Sequence, residues 1–475
     1  MAGFLVPPGS MCSQLSAIPG LTIAFPNSSS YAATQNDFWT LQEASLHPAC
    51  IAQPTETQHV ADLISAIVSH DTPFAIKGGG HAPSAGWANI ENAITIDMGG
   101  LSTISVNGDA SVASIGAGAR WLDVYTFLDP LNRTVAGGRN GAVGVGGLTL
   151  GGGVSYFSPQ VGFTCDTVVN FQVVLASGEV VNANSTENPD LFRALKGGVN
   201  DFGVVTRFDF VTLPVGEISG GSVVNDIEHR HAVFKAFANI ADAPDYDIHA
   251  SIVTSVVFSS ISKTWTLSST SIYTTPDLNP PVYKELFAVP SISKSIHLTT
   301  LHDFANETAL PQNDILFYTS TYGVSAHLLD ELFDICNASV HASQVSGGVT
   351  WLLTFEPLPS AIVAHGDDQH FGNSLGTSPK DGNSMILLLT VVWSDTSSSA
   401  SVEAEAASLL SKMDQAARNR KLDRRFRYAN YANPSQKPIH SYGAANREFL
   451  NKVANRYDRK GIFQKLVPGG FKLEN

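Results

Sequence analysis

At 475 residues, 43% of them hydrophobic, the chain is long enough for two domains or one large bilobed domain with sizeable cores. Charged residues make up only 15% and the net charge is −14, which excludes a nucleic-acid partner; the nearest basic cluster, Arg418 to Arg427, reads as a helix end and its following turn. No apolar run approaches the roughly 20 residues of a membrane span, and none of the four cysteines forms a CxxC pair that would signal zinc. Met1 to Met11 lacks the positive start and apolar stretch of an intact signal peptide. Leu5 to Ser10 resembles a residual cleavage linker, as if a natural leader had been replaced. Cys12 and Cys50 flank the N-terminal segment and can form one disulfide, which implies a secretory route. Five Asn-x-Ser/Thr sequons, at Asn27, Asn132, Asn184, Asn306 and Asn337, are close to what chance gives and decide nothing.

Thr55-x-x-Gln58 has the form of a capping box ahead of Val60, Leu63, Ile64, Ile67 and Val68, the spacing of an amphipathic helix. A strand over 73–77 then runs into Lys77-Gly78-Gly79-Gly80-His81 and on to Gly86. Consecutive glycines bare the backbone N–H groups that suit a diphosphate, and His81 stands at the lip of that loop. Strands are expected at 94–97 and 113–116, with a short helix over 121–128. A second glycine cluster, Val143-Gly144-Val145-Gly146-Gly147 to Gly151-Gly152-Gly153, follows the first by about sixty residues. Two such loops are hard to read as ordinary turns. A hairpin is expected over 171–181, a helix over 189–196, and a strand from Gly203-Val204-Val205 through Phe210. Cys165 reads as a buried small residue. After about residue 215 the glycine clusters stop. β-rich runs at 250–258, 265–273, 349–355 and 385–393 alternate with helices at 229–241, 281–288, 325–336 and 399–419, followed by a last helix over 444–457. His365, Asp367, Asp368 and His370 have the residue types of a metal site, but in this Gly/Asp-rich setting they read as a solvent-facing loop, and no metal is expected.

These motifs in this order resemble the FAD-linked oxidases of the vanillyl-alcohol oxidase superfamily, and most closely the berberine-bridge-enzyme-like branch. The resemblance rests on Gly78 to His81, Ile96-Asp97-Met98, Gly116-Ala117-Gly118, Val143 to Gly153, Leu191 to Gly198, Phe202 to Val205, Tyr428-x-Asn430-Tyr431 and Tyr457-Asp458. Glu356-Pro357-Leu358-Pro359, Gly372 to Gly376 and Leu466 to Phe471 look like fungal members. It implies an α+β fold: a two-lobed FAD-binding domain from residues 1–214, completed by 425–475, and a substrate-binding domain over 215–424 built on an antiparallel sheet covered by helices. It places the cofactor on Lys77, Gly78, Gly79, Gly80, His81, Ala82 and Gly86. It adds Val143, Gly144, Gly146, Gly147, Thr149, Gly151, Gly152 and Gly153 from the second cluster, then Gly203, Val204 and Val205, and finally Tyr428 and Asn430.

The resemblance implies that His81 is bonded covalently to FAD. Asn140 stands where many relatives carry a second, cysteinyl link, so attachment through histidine alone is expected. Val143 matches a position that controls oxygen access, and a side chain of this size points to an oxidase that releases hydrogen peroxide. A phenol whose pKa is lowered by a nearby cation can act as base, so Tyr428 is the first catalytic candidate and Tyr431 the second. Glu356 and Asn373 are candidates from the substrate domain. The expected enzyme is a secreted monomer that oxidises a small, largely apolar alcohol or activated C–H substrate, a fungal secondary metabolite, with dioxygen as acceptor. The alternatives are a secreted carbohydrate oxidase and a flavin-bearing cyclase or binding scaffold without redox chemistry.

Overall fold

A computed structural model describes residues 8–306, 312–343, 345, 347–367 and 372–473. Leu5 to Pro7 of the linker-like stretch and Asp368 and His370 of the acidic loop lie outside these. The N-terminal region carries two main sheets and a two-stranded ladder of Arg133–Thr134 with Leu213–Pro214. The first has four strands in the order Thr22–Ala24, Cys50–Gln53, Ile94–Asp97, Phe74–Lys77. Its last three strands run parallel, with Phe74 opposite Ile94 and Lys77 opposite Asp97. Parallel pairing requires a crossover, and the helix Thr57–Ser69 supplies it, burying Val60, Leu63, Ile64 and Ile67. The expected capping box is not formed. The helix starts two residues later than Thr55, and the Thr55 N–H instead meets Nδ1 of His59 at 3.3 Å. A disulfide joins Cys12, in the helix Pro8–Leu15, to Cys50 at the start of its strand.

The second sheet is antiparallel, with five strands in the order Ile104–Val106, Val112–Gly116, Val204–Val211, Val168–Val174, Val180–Asn184. Both sheets share one large core, to which Leu450, Val453 and Phe463 of the C-terminal segment also belong.

A nine-stranded sheet forms the rest. Its main path runs Ser291–Lys294, Ile218–Asn225, Thr264–Tyr273, Ala250–Ser259, Val349–Leu358, Ser384–Trp393, Asp314–Gly323, Asp423–Arg424, and every pairing is antiparallel. Side chains alternate between the two faces of a strand. Trp351, Leu353 and Phe355 therefore share a second core with the helices Arg230–Ala241, Ala326–Ala342 and Ser399–Asn419. Glu356 and Leu358 take the opposite face; Leu358 and Ile386, the latter paired with Glu356, pack into the first core. That alternation turns Glu356 away from the second core and toward Arg139 and Tyr431.

Candidate active site

The two glycine clusters meet back to back. A Cβ on Gly79 would lie 2.5 Å from the Cα of Gly144, and one on Gly144 would lie 2.3 Å from the Gly79 nitrogen, so neither position admits a side chain. A bridge from Arg120 to Gly144 and the bond from Val145 N–H to the Ala119 carbonyl (2.9 Å) fix the second cluster. Its first part is not a loop, since Val145–Leu150 is a short helix. On either side of the Gly79–Gly144 contact there is room. Gly147 is exposed, and apart from its own helix and neighbours no described atom lies within 4 Å of a would-be Cβ, while Gly78 meets only the Ala117 carbonyl, at 3.6 Å. The chain itself thus gives no reason for glycine at 147. The bare backbone there leaves room for a ligand, and in this respect the residues fit a dinucleotide cofactor.

His81 is stacked on Trp39, ring centroids 3.9 Å apart and planes 15° from parallel. The Trp39 N–H bonds the Gly80 carbonyl at 2.9 Å, so the stack is tied to the loop. Burial, with the Arg120 charge acting the same way, pulls the His81 imidazole down to about 4. A neutral ring is the form that bonds an electrophile. Trp39 leads to Phe317 (5.8 Å), Phe317 to Tyr431 (6.0 Å) and Tyr431 to Tyr428 (4.8 Å), one aromatic path from the first glycine loop to the C-terminal tyrosines.

Beyond that path lies a buried ionic junction. Nη2 of Arg139 donates to Oε1 of Glu356 (2.7 Å) and to the Tyr431 hydroxyl (2.6 Å), and Tyr431 donates to the same Oε1 (3.0 Å). Burial alone would lower the Arg139 pKa, but the Glu356 carboxylate and Tyr431 outweigh it and hold the guanidinium above its ordinary value. Oε2 of Glu356 is buried, and no donor among the described residues reaches it. A carboxylate oxygen in that position calls for a donor from elsewhere.

The Tyr428 oxygen accepts the Val154 N–H and the Asn430 amide, both at 2.9 Å, and no described acceptor takes its own proton. The lowered phenol pKa that a base needs is not found. Burial is the largest influence and pushes Tyr428 up, against Asn430 and Arg139, and it raises Tyr431 well above its usual range too. Both phenols are proton donors at neutral pH.

Several expected site residues have other work. Lys77 is buried and ion-paired with Asp37 (2.8 Å) and Asp97 (3.3 Å) beneath the first loop, so its ammonium is not free for a cofactor. Arg120 joins Asp37 and the Gly79 carbonyl to the same network. The Thr149 hydroxyl bonds the Val145 carbonyl inside its own helix. Gly151 leaves space for Asn430, which binds the Leu148 carbonyl. Gly152 and Gly153 turn with φ of +108° and +83°. Gly203 sits against Val173 and Val174, and Val204 and Val205 are buried strand residues, so this stretch is explained by sheet packing. Gly80 and Gly86 also have positive φ, and the Ala82 carbonyl accepts from Thr40 at 3.3 Å. Val143 is half-buried beside the bridge, with its carbonyl on Trp121 N–H at 3.0 Å. The Asn373 amide is bound to Asp166 (2.9 Å) and to the Leu375 N–H (3.1 Å), which removes it from the catalytic group. Arg139 and Trp39 were not singled out from the sequence. Cys165 is fully buried. No cluster of three or more metal-binding side chains occurs among the described residues, and among them no helix is long and apolar enough to cross a membrane.

Residues 48–184 match the protein family described as FAD binding domain. The FAD-dependent monooxygenase FUP4 of Fusarium proliferatum (strain ET1) is 36% identical over 92% of this chain and 87% of its own length. Among solved structures, Physcomitrella patens BBE-like 1 aligns with a TM-score of 0.79 at 19% identity, covering 98% of this chain and 99% of the other. The glucooligosaccharide oxidase of Acremonium strictum, described with a 6-S-cysteinyl, 8α-N1-histidyl FAD, aligns with a TM-score of 0.76 at 20% identity, covering 96% and 98%. At such identities these two structures establish a shared fold.

Proposed function

The chain belongs to the family of FAD-dependent oxidoreductases that includes these fungal relatives, and from that premise we propose that it oxidises a small, largely apolar alcohol or activated C–H compound at the Glu356 junction. The observation that carries this reading is the unpartnered Oε2 of a buried carboxylate whose other oxygen is locked by Arg139 and Tyr431. A substrate hydroxyl donates to Oε2, and Glu356 takes its proton as the adjacent carbon gives up a hydride. When bound, the flavin supplies the hydride acceptor and hands the electrons to dioxygen, so that hydrogen peroxide is released. Tyr431 holds the Glu356 carboxylate in place. Tyr428, held by Val154 and Asn430, presents a phenol proton for orienting the substrate. The aromatic path from Trp39 to Tyr428 supplies an apolar wall that excludes water.

Residues 1–214 and 425–475 hold FAD in this reading, and 215–424 cover it with the substrate sheet. His81 is the covalent tether, supported by its neutral ring and the stack on Trp39. Asn140 offers no thiol, so the histidyl bond is the only link, unlike the double link in the description of the Acremonium enzyme. The Cys12–Cys50 disulfide supports a secretory route. A second reading, insertion of oxygen into the substrate, is favoured by the naming of the 36%-identical relative as a monooxygenase.

One experiment separates the two. Purified enzyme is screened under labelled dioxygen with sugars, benzylic alcohols and polyketide alcohols. One peroxide per product and no label in the product supports the oxidase. Label in the product supports oxygen insertion. Turnover confined to sugars removes the apolar-substrate assignment.

A further inference from the structure

The Glu356 carboxylate has a counter-charge built in. Arg139 lies on the segment leading into the second glycine cluster, and its side chain is only 15% exposed, against 4% for Glu356. Among the described residues, the other titratable groups that act on the pair are all phenols: Tyr431 and Tyr428 from the C-terminal segment, and Tyr156 from the turn after the glycines. Phe317 and Trp39 continue the wall without charge. The junction therefore carries one positive and one negative charge, 2.7 Å apart, in a setting that is otherwise neutral. An ammonium ligand brought to Oε2 would gain Glu356 but meet the guanidinium held on the same carboxylate. A carboxylate ligand would meet Glu356 itself. Either would also lose its hydration, with no free opposite charge to replace it. A neutral hydroxyl meets neither penalty and supplies the donor that Oε2 lacks.

We propose that Arg139 sets the charge class of the substrate: by neutralising Glu356 it reserves the site for uncharged hydroxyl-bearing ligands and turns away amines and acids. This rests on the reading of Glu356 as the substrate-facing acceptor. Specificity here comes from a repulsive element as much as an attractive one. The same chain fold, with the guanidinium removed, would be an amine site.

The test uses intact holoenzyme under nitrogen, with perturbation of the flavin absorbance as the binding readout. The probes are benzyl alcohol, benzylammonium and benzoate, which share one ring and differ in charge. Wild type is expected to bind benzyl alcohol at least tenfold more tightly than either ion. Arg139→Met leaves a lone carboxylate and should shift the preference at least tenfold toward benzylammonium. Glu356→Gln leaves a lone guanidinium and should shift it toward benzoate. The double variant Arg139→Met/Glu356→Gln has no buried charge to strand, so it folds where a single variant fails, and it should return to the neutral probe. Wild type that responds to an ion as strongly as to the alcohol, or to none of the three, overturns the proposal. If Glu356→Gln weakens benzyl alcohol but the ion preferences do not follow the charge, only the role of Arg139 fails. If neither single variant moves any affinity, the reading of Glu356 as the acceptor fails with it.

Discussion

An imidazole attacks only as the free base, and an exposed histidine is half protonated near pH 6.5. Burial and Arg120 move that midpoint for His81 to about 4. Attachment of FAD to apoprotein should therefore proceed at a constant rate from neutral pH down to about 5 and fall off only as pH passes through about 4. A rate that halves near 6.5 would show that the ring is not shielded in solution. His81→Ala should bind FAD yet release all colour on acid precipitation. Pigment that stays in the variant's pellet would place the tether elsewhere. At the other end of the aromatic path, Glu356→Gln should lower kcat by roughly 10²- to 10⁴-fold, the usual worth of a proton acceptor. Tyr431→Phe removes one hydrogen bond to that acceptor and one from Arg139, leaves the Arg139–Glu356 pair in place, and should cost about tenfold. Steady-state kinetics on the same substrate checks both, and equal losses would contradict the division of roles. The sequence pointed to His81, Glu356 and both tyrosines because each belongs to a motif. It did not point to Arg139, which reaches Glu356 across 217 positions and Tyr431 across 292. An arginine beside a glycine looks like any surface residue until the fold supplies its partner.

Elements divide in the same way. Strands rich in β-branched residues, such as Ala250–Ser259, were readable from composition, and helices with one apolar stripe, such as Ser399–Asn419, were readable to the residue. The strands Ile218–Asn225 and Asp314–Gly323 were passed over. Both are buried at nearly every position, so no alternation of exposure marks them. The segment after the first glycine loop also hides its anchor. Glu43 is fully buried, and its carboxylate accepts the backbone N–H groups of Trp87, Ala88 and Asn89 at 2.8–3.0 Å. Burial, opposed by these bonds, raises it from 4.5 to about 7. The folded state thus holds this proton more tightly than the unfolded chain. The stability it confers is whole below about pH 4.5 and drains away as pH rises to about 7. Melting temperature should decline over that window, and the decline should shrink in Glu43→Gln. Asp201, which burial also pushes up to about 7, keeps its own share. Glu43→Ala strands three N–H groups and should cost about 3 kcal/mol or more by chemical denaturation. A pH slope identical in wild type and Glu43→Gln would remove Glu43 from the account.

Two large cores and one seam dominate the described residues. The first core draws on residues from position 11 to position 473, with Leu301, Leu358 and Ile386 of the middle region among them, the second lies within 233–417, and the C-terminal stretch returns to the first. Arg139, Glu356 and Tyr431 come from three stretches that meet only when that return is complete, which is why the seam could not be read from local pattern. The Cys12–Cys50 bond acts on the first core alone. It closes a separation of 38 residues between the first helix and a central strand, and a loop of that length is worth about 4 kcal/mol in chain entropy. Cys12→Ser/Cys50→Ser should therefore lower the temperature at which flavin fluorescence rises by roughly 10 °C. The helical layer over 326–342 and 399–419 packs on the second core, and kcat at 25 °C should be unchanged because no residue of the seam is touched. Fluorescence-detected melting of the double variant beside wild type, with initial rates on the same samples, reads both. A lost rate with an unmoved melting point would reverse the assignment and make the disulfide part of the catalytic seam instead of a clamp on the N-terminal core.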